Sequence, residues 1–182
     1  MLFLLYIGGA IIAATVILTP SCIPLSPYIK AVKYYEGFYA APYRCPAGVW
    51  TIGYGHTKGV TEDSPEVTEL EAHILLLGDL VYAAKQVLRL AGDALEQAGD
   101  GEEAAVRRFV ALTSWTFNLG EGNLATSTML KRIWAGRWDD AAMEMLRWNK
   151  ARVKGRMVEL AGLTKRRQSE AHFFRTGEVV LY

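Results

Sequence analysis

The chain has 182 residues, 20 Lys and Arg against 19 Asp and Glu, and a net charge of +1. That length holds one full domain plus an appendage. The near-neutral total hides an asymmetry: residues 1–101 carry 6 basic and 10 acidic side chains (−4), residues 102–182 carry 14 and 9 (+5). The basic half suits an anionic polymer or is a scattered, solvated surface. No nucleic acid is expected as partner, because no recognition motif accompanies the basic residues.

In chain order, the first feature is a segment without charge: Met1 to Ile29 contains none, and Leu2 to Leu18 is almost wholly apolar. As a helix running to Thr19 it would span roughly 27 Å, a marginal bilayer crossing. Gly8, Gly9, Ala10, Ala13, Ala14 and Thr15 dilute its large aliphatics. A cleaved signal peptide would want a basic start and a small-x-small site, and the basic start is missing. A lipoprotein signal would need a lipobox before Cys22, and Leu18-Thr19-Pro20-Ser21-Cys22 is a poor one. An uncleaved anchor, releasable or permanent, is the third reading. Pro20, Pro24 and Pro27 make residues 19–27 a helix-breaking linker.

A helix is expected to end near Glu36-Gly37, with Gly37 available for a left-handed cap. Ala40 to His56 reads as a short hairpin, with turns at Pro42 and Pro46-Ala47-Gly48 and strand character in Val49-Trp50-Thr51-Ile52. Glu36, eight residues, Cys45, five residues and Thr51 form an ordered set followed by Ile52-Gly53-Tyr54-Gly55-His56. Breaking a glycosidic bond needs an acid on one side of the sugar and a group that handles water on the other. Tyr34, Tyr35, Phe38 and Tyr39 flank Glu36. A poorly hydrated setting at the negative end of a helix dipole favours the protonated acid. Taken singly, Glu36, Cys45 and Thr51 are ordinary surface, core and strand residues; the ordered set is what points to chemistry.

Beyond the hairpin, Thr61 to Pro65 reads as a turn and helix entry, with Pro65 at a first helical position. Glu66 to Leu90 reads as helix, Val67, Leu70, Ile74, Leu77, Leu80 and Val81 marking an apolar face. Gly92 to Gly101 is a polar break. Helices follow at Glu102–Asn118, Ser127–Trp134, Trp138–Trp148 and Thr164–Arg175, the last closed by Gly177. Strand is confined to residues 40–57. The fold class is α+β and mostly helical.

These motifs resemble the phage-type lysozymes, glycoside hydrolase family 24, which carry Glu, eight residues, Asp or sometimes Cys, five residues, Thr. Similarity continues through Phe117-Asn118-Leu119-Gly120, Ser127-Thr128-Met129-Leu130, Gly136 to Ala142 and Gly162 to Arg167, so it covers residues 28–177. The resemblance implies a lysozyme-like fold with a small β-lobe, a long connecting helix and a helical C-terminal lobe over residues 28–182. It implies a muramidase cutting the β-1,4 bond between N-acetylmuramic acid and N-acetylglucosamine in peptidoglycan, with no cofactor and no metal. Glu36 takes the role of acid, and Cys45 and Thr51 hold the attacking water. Phe117 and Ser127 become candidate substrate contacts, with helix packing the rival role for Phe117. Arg166 aligns with an arginine that pairs with the acid, and so works against the desolvation of Glu36. His56 is read as structural.

Weakly hydrophobic, Gly/Ala-rich N-termini are also similar to those of signal-anchor-release endolysins. The resemblance implies export by the host machinery, attachment to the inner membrane through residues 2–19 facing the periplasm, and soluble periplasmic activity after release. Residues 1–27 are then anchor and linker. Cys22 and Cys45 are the only cysteines, and the periplasm is oxidising. A Cys22–Cys45 disulfide caging the catalytic thiol is one implied control, and burial and refolding alone is the other. The third cysteine that related endolysins use for exchange is absent. Two rival functions are a membrane-tethered wall-binding protein whose lysozyme-like site has lost catalysis, and an integral membrane lysis regulator.

Overall fold

The computed structural model describes residues 25–45, 48–153 and 155–182. Cys22, the apolar segment and most of the linker lie outside them. The chain opens on α1 (Leu25–Glu36), then β1 (Tyr39–Arg44) and β2 (Trp50–Gly53), then the long α2 (Glu69–Glu96). The helical lobe follows: α3 (Glu102–Leu119), α4 (Glu121–Thr126), α5 (Thr128–Trp134), α6 (Trp138–Leu146), the strands β3 (Lys150–Val153) and β4 (Arg156–Glu159), and α7 (Ala161–Thr176).

α3 is the axis of the core and packs against α2 and α7. Its first turn is acidic, which suits the positive end of the dipole, and from Ala104 to Thr116 nearly every side chain is buried. Trp115, Leu112, Val87, Met129, Ile133, Met145, Phe173 and Phe174 form the centre of one continuous apolar cluster. A fully buried aromatic or leucine of this kind stabilises by about 1.5–3 kcal/mol.

Several boundaries depart from the sequence reading. Pro27 lies in the first turn of α1, where its missing N–H costs nothing, so the helix begins inside the expected linker. α2 starts later than expected, because Thr68 rather than Pro65 sets its entry through a capping box with Glu71. It also runs on through Gly92, which is buried against the core, to Glu96. The buried residues of α2 include Ala72, Leu76, Ala83, Val87 and Ala91; of the expected stripe Val67 and Leu80 pack against the core, but Leu70 is 69% exposed and Ile74 60%. Strand is not confined to residues 40–57. β3 and β4 form a second antiparallel pair in the register Lys150↔Glu159 to Val153↔Arg156, turning at Gly155 with φ +81°. A two-residue connection with a positive-φ glycine is a hairpin signal that the surrounding basic residues obscure. This pair also shortens α6, which ends at Leu146 instead of Trp148.

Candidate active site

α1 carries Glu36 at its last position. Gly37 follows at φ +70° and donates its N–H to the Lys33 carbonyl at 3.0 Å, a left-handed stop that only glycine makes cheaply. The carboxylate therefore emerges from the C-terminal end of a helix, as the sequence led us to expect. On one side the buried Arg166 of α7 pairs with its Oε1. On the other stands Gly55, with no side chain; a Cβ there would lie 2.9 Å from Glu36 Oε2.

The Gly-Tyr-Gly-His motif explains this approach. Ile52 and His56 exchange both backbone hydrogen bonds at 2.9 Å, closing a tight turn over Gly53-Tyr54-Gly55. Gly53 sits at φ +64° and Gly55 at φ +90°. A Cβ on Gly53 would meet that of Ala72 in α2 at 2.9 Å, so the turn is pressed against the connecting helix. Tyr54 is buried and donates its hydroxyl to Glu69 at 2.8 Å, while Lys33 pairs with the same carboxylate at 3.2 Å. His56 lies between Asp79, 2.7 Å from its Nδ1, and the Lys58 carbonyl, 3.0 Å from its Nε2. It ties the turn to α2.

β1 and β2 pair with Tyr43 opposite Thr51 and Arg44 opposite Trp50. The register breaks between Tyr39 and Tyr43, where Pro42 has no N–H to give the ladder. Cys45 follows β1, half-buried, and its N–H donates to the Val49 carbonyl at 3.0 Å. Successive residues alternate faces, so Tyr43 and Cys45 share a face with Thr51 opposite. Burial pushes the Tyr43 phenol above its ordinary value, and nearby Tyr39, Glu36 and Cys45 add to the shift. The carboxylate of α1 and the thiol of the hairpin thus act on one side chain. Thr51 is buried, and its hydroxyl donates to the Val49 carbonyl at 3.0 Å. Its lone pairs remain for a further donor.

Beside Gly55 opens a cleft of about 200 Å³, lined among others by Thr57, Lys58, Asp79, Tyr82 and Phe117. Phe117 Cζ reaches within 4.0 Å of the Cβ position on Gly55, so this sequence candidate lies at the cleft. Ser127 differs. Its buried hydroxyl accepts from Leu130 N at 2.9 Å and donates to the Leu124 carbonyl at 2.8 Å, capping α5. Little of it is left to offer a ligand.

Behind Glu36 lies a buried polar cluster of which the sequence reading had only Arg166, expected to pair with the acid as it does here. Glu170 accepts from Ser114 Oγ at 2.7 Å, Arg166 Nε at 3.1 Å and Arg167 Nη2 at 3.0 Å, and Arg167 also reaches Asn118. Burial pulls the Arg166 guanidinium down, but Glu36 and Glu170 outweigh it and hold it above its ordinary value. Burial dominates at Arg167 and lowers it. The signal was present as Arg166, Arg167 and Glu170, three and four residues apart on one helix. Among the described residues no group of three or more His, Cys, Asp or Glu side chains stands together to hold a metal.

The model of the family described as phage lysozyme matches residues 33–170. The chain belongs to the phage lysozyme family. It is 34% identical over 145 residues to an endolysin of Acyrthosiphon pisum secondary endosymbiont phage 1, covering 80% of this chain and 92% of that one. It is 31% identical over 172 residues to the SAR-endolysin of Enterobacteria phage P21, covering 94% and 91%. Among solved structures it is similar to the muramidase domain of SpmX from Asticaccaulis excentricus, with TM-score 0.71, 32% identity and 85% and 97% coverage. The endolysin from Escherichia coli O157:H7 phage FAHEc1 superimposes with TM-score 0.68 at 30% identity, covering 85% and 94%. The lysozyme-like fold is therefore shown, and with it the activity class: a glycoside hydrolase, a lysozyme acting on peptidoglycan in lysis.

Proposed function

We propose that this lysozyme cleaves the β-1,4 bond between N-acetylmuramic acid and N-acetylglucosamine with Glu36 as general acid. The observation that carries the reading is the setting of Glu36, at a helix end, gripped through Oε1 by Arg166 and abutted at Oε2 by the bare backbone of Gly55 beside an open cleft. An acid must be held in one orientation to protonate a leaving oxygen, and a buried guanidinium does that. Cys45 and Thr51 place the water from the hairpin across from it. Cys45 serves in this reading by holding water at the end of β1. Phe117 offers an apolar edge to a sugar face.

The test is turbidity loss of permeabilised Gram-negative cells. Glu36→Gln is expected to lose activity by at least ~100-fold with the fold intact by circular dichroism, the scale of removing a general acid. Equal lysis by wild type and variant would overturn the assignment. Cys45→Asp is expected to keep activity, since a carboxylate holds water in the same place.

The lysozyme body, residues 28–182, is in this reading delivered by host export machinery and held at the inner membrane, facing the periplasm, by residues 2–19 until release frees it as a soluble enzyme. The uncharged apolar stretch and the likeness to SAR-endolysins support it. No helix among the described residues is long and apolar enough to cross a membrane, and residues 2–19 lie outside them. Fractionation of expressing cells checks this: chain of unreduced mass in the membrane pellet is expected before lysis. A shortened, wholly soluble product would point to cleavage instead. A Cys22–Cys45 bond in the held state would show as a linked peptide in non-reducing mass spectrometry.

A further inference from the structure

Arg166 stands between two carboxylates. Its Nη1 reaches forward to Glu36 Oε1, and its Nε donates backward to Glu170 Oε1 at 3.1 Å. Arg166 and Glu170 lie four residues apart on α7, so they are neighbours on one face of that helix, and both are buried. A guanidinium is planar and rigid, so the group that fixes Nε also fixes where Nη1 points. Glu170 is itself held from two helices. Ser114 of α3 donates to its Oε1 at 2.7 Å. Arg167 reaches both its oxygens, with Nη2 3.0 Å from Oε1 and Nε 2.9 Å from Oε2. Buried behind Arg166, Glu170 touches the site only through that side chain.

The charge balance of this cluster changes during the reaction. Two buried guanidiniums, Arg166 and Arg167, meet two carboxylates, Glu36 and Glu170. Burial works against the Arg166 charge, and Glu36 and Glu170 together outweigh it. An acid must hold a proton before it can give one. Once Glu36 is protonated, Glu170 is the counter-charge that remains to both arginines, and a buried guanidinium without a counter-charge is strongly disfavoured. Without Glu170, Arg166 would hold Glu36 as the anion, which has no proton to give. We propose, on the reading of Glu36 as general acid, that Glu170 is a positioning residue of the hydrolysis: it holds Arg166 from behind and supplies the counter-charge that lets Glu36 carry its proton in place. The other groups around Glu36 do not serve in this way. Tyr43 and Cys45 lie toward it on the hairpin, and Tyr35 of α1 hydrogen-bonds Ser169. Lys33 of α1 is paired with Glu69. The turn presents the bare backbone of Gly55, and α3 presents Phe117 beside it. Along the cleft, Asp79 is paired with His56, and Lys58 is a cation.

The test is the pH dependence of kcat and KM for the full chain on soluble peptidoglycan fragments. Glu170→Gln keeps the shape and an acceptor oxygen and removes the charge. It is expected to lose about tenfold in kcat at neutral pH, with KM within about twofold, and to regain activity relative to wild type as the pH falls. The alkaline limb of its profile then lies at lower pH, because the unbalanced arginines favour the Glu36 anion. Ser114→Ala works in the opposite sense. It takes a neutral donor from Glu170 Oε1 and leaves the charge, so its alkaline limb is expected at higher pH than in wild type; it decides the matter if Glu170→Gln does not fold. A Glu170→Gln profile that superimposes on wild type, a loss equal at every pH, or a Ser114→Ala limb that stays or moves to lower pH would each overturn the proposal. Glu36→Gln separates the two readings. If it is inactive while Glu170→Gln keeps the wild-type profile, Glu36 is the acid and Glu170 only structural. If Glu36→Gln is as active as wild type, the acid assignment falls, and the role of Glu170 with it.

Discussion

The two strand pairs of this lysozyme are alike in size and opposite in consequence. In β2, Thr51, Ile52 and Gly53 are buried, and the turn beyond it is pressed onto α2 and Glu36. The pair β3–β4 has the more regular ladder, yet β4 is exposed along its whole length, and Met157 is 61% exposed. A ladder of backbone bonds does not position chemistry by itself. The hairpin that does so has surrendered regular pairing for positive-φ turns and close approach to neighbours. An isolated two-stranded pair is at best marginal in water; β2 packs against α2, while β3–β4 is held at its base, where Asn149 binds Glu159 and Thr164.

The sharpest way to break this contrast is at Arg166, which ties the site to the helical lobe. Arg166→Met is expected to cost about 3–5 kcal/mol in denaturant unfolding, because Glu170 is left buried with less compensation. It should cost activity as well. A loss confined to activity would mean that the buried polar cluster orients Glu36 without stabilising the helical lobe.

Next comes a matched pair of glycines. Gly53 and Gly155 both have positive φ, but a Cβ on Gly53 strikes Ala72 at 2.9 Å and one on Gly155 meets nothing. Gly155→Ala is expected to cost only the backbone term, about 1 kcal/mol, and Gly53→Ala about 1–3 kcal/mol more from overpacking. Equal losses in thermal unfolding would show that contact with α2 is not what distinguishes the hairpins.

A pH series sharpens the same point. Hydrogen bonds from Tyr54 and Lys33 hold the Glu69 carboxyl below its ordinary value. A depressed carboxyl stabilises above its unfolded value and loses that contribution as pH falls through the folded one. Glu69→Gln is therefore expected to be less stable than wild type at neutral pH and to converge with it in acid below the ordinary carboxylate value of about 4. The smallest effect belongs to Met157→Ser on β4, expected within about ±0.5 kcal/mol. A larger loss would reveal a partner for that hairpin.

Helix periodicity and capping residues placed most of the helical lobe, since these signals are local. Gly37, Gly177 and the Glu102–Asn118 run acted as read. The spacing of Glu36, Cys45 and Thr51 carried the resemblance to the phage lysozymes, because residue type and order are properties of the chain. Which apolar face of α2 is buried was not legible. Leu70, Ile74, Leu77 and Val81 have the period of a core face, yet α2 buries Ala72, Leu76, Ala83 and Val87, because which side meets α3 is set by the tertiary packing. The β3–β4 pair was hidden because an exposed hairpin needs no hydrophobic alternation.

By itself the sequence determined the reaction class and where the chain stops and turns, because glycines, caps and ordered functional groups act over a few residues. Only the tertiary structure decided that Gly55 is bare to admit the Glu36 carboxylate and that Arg166 shares itself between Glu36 and Glu170. It also assigned Ser127 to a helix cap. Those roles depend on contacts across 130 residues or on what surrounds a hydroxyl, and neither burial nor distance is written in local order.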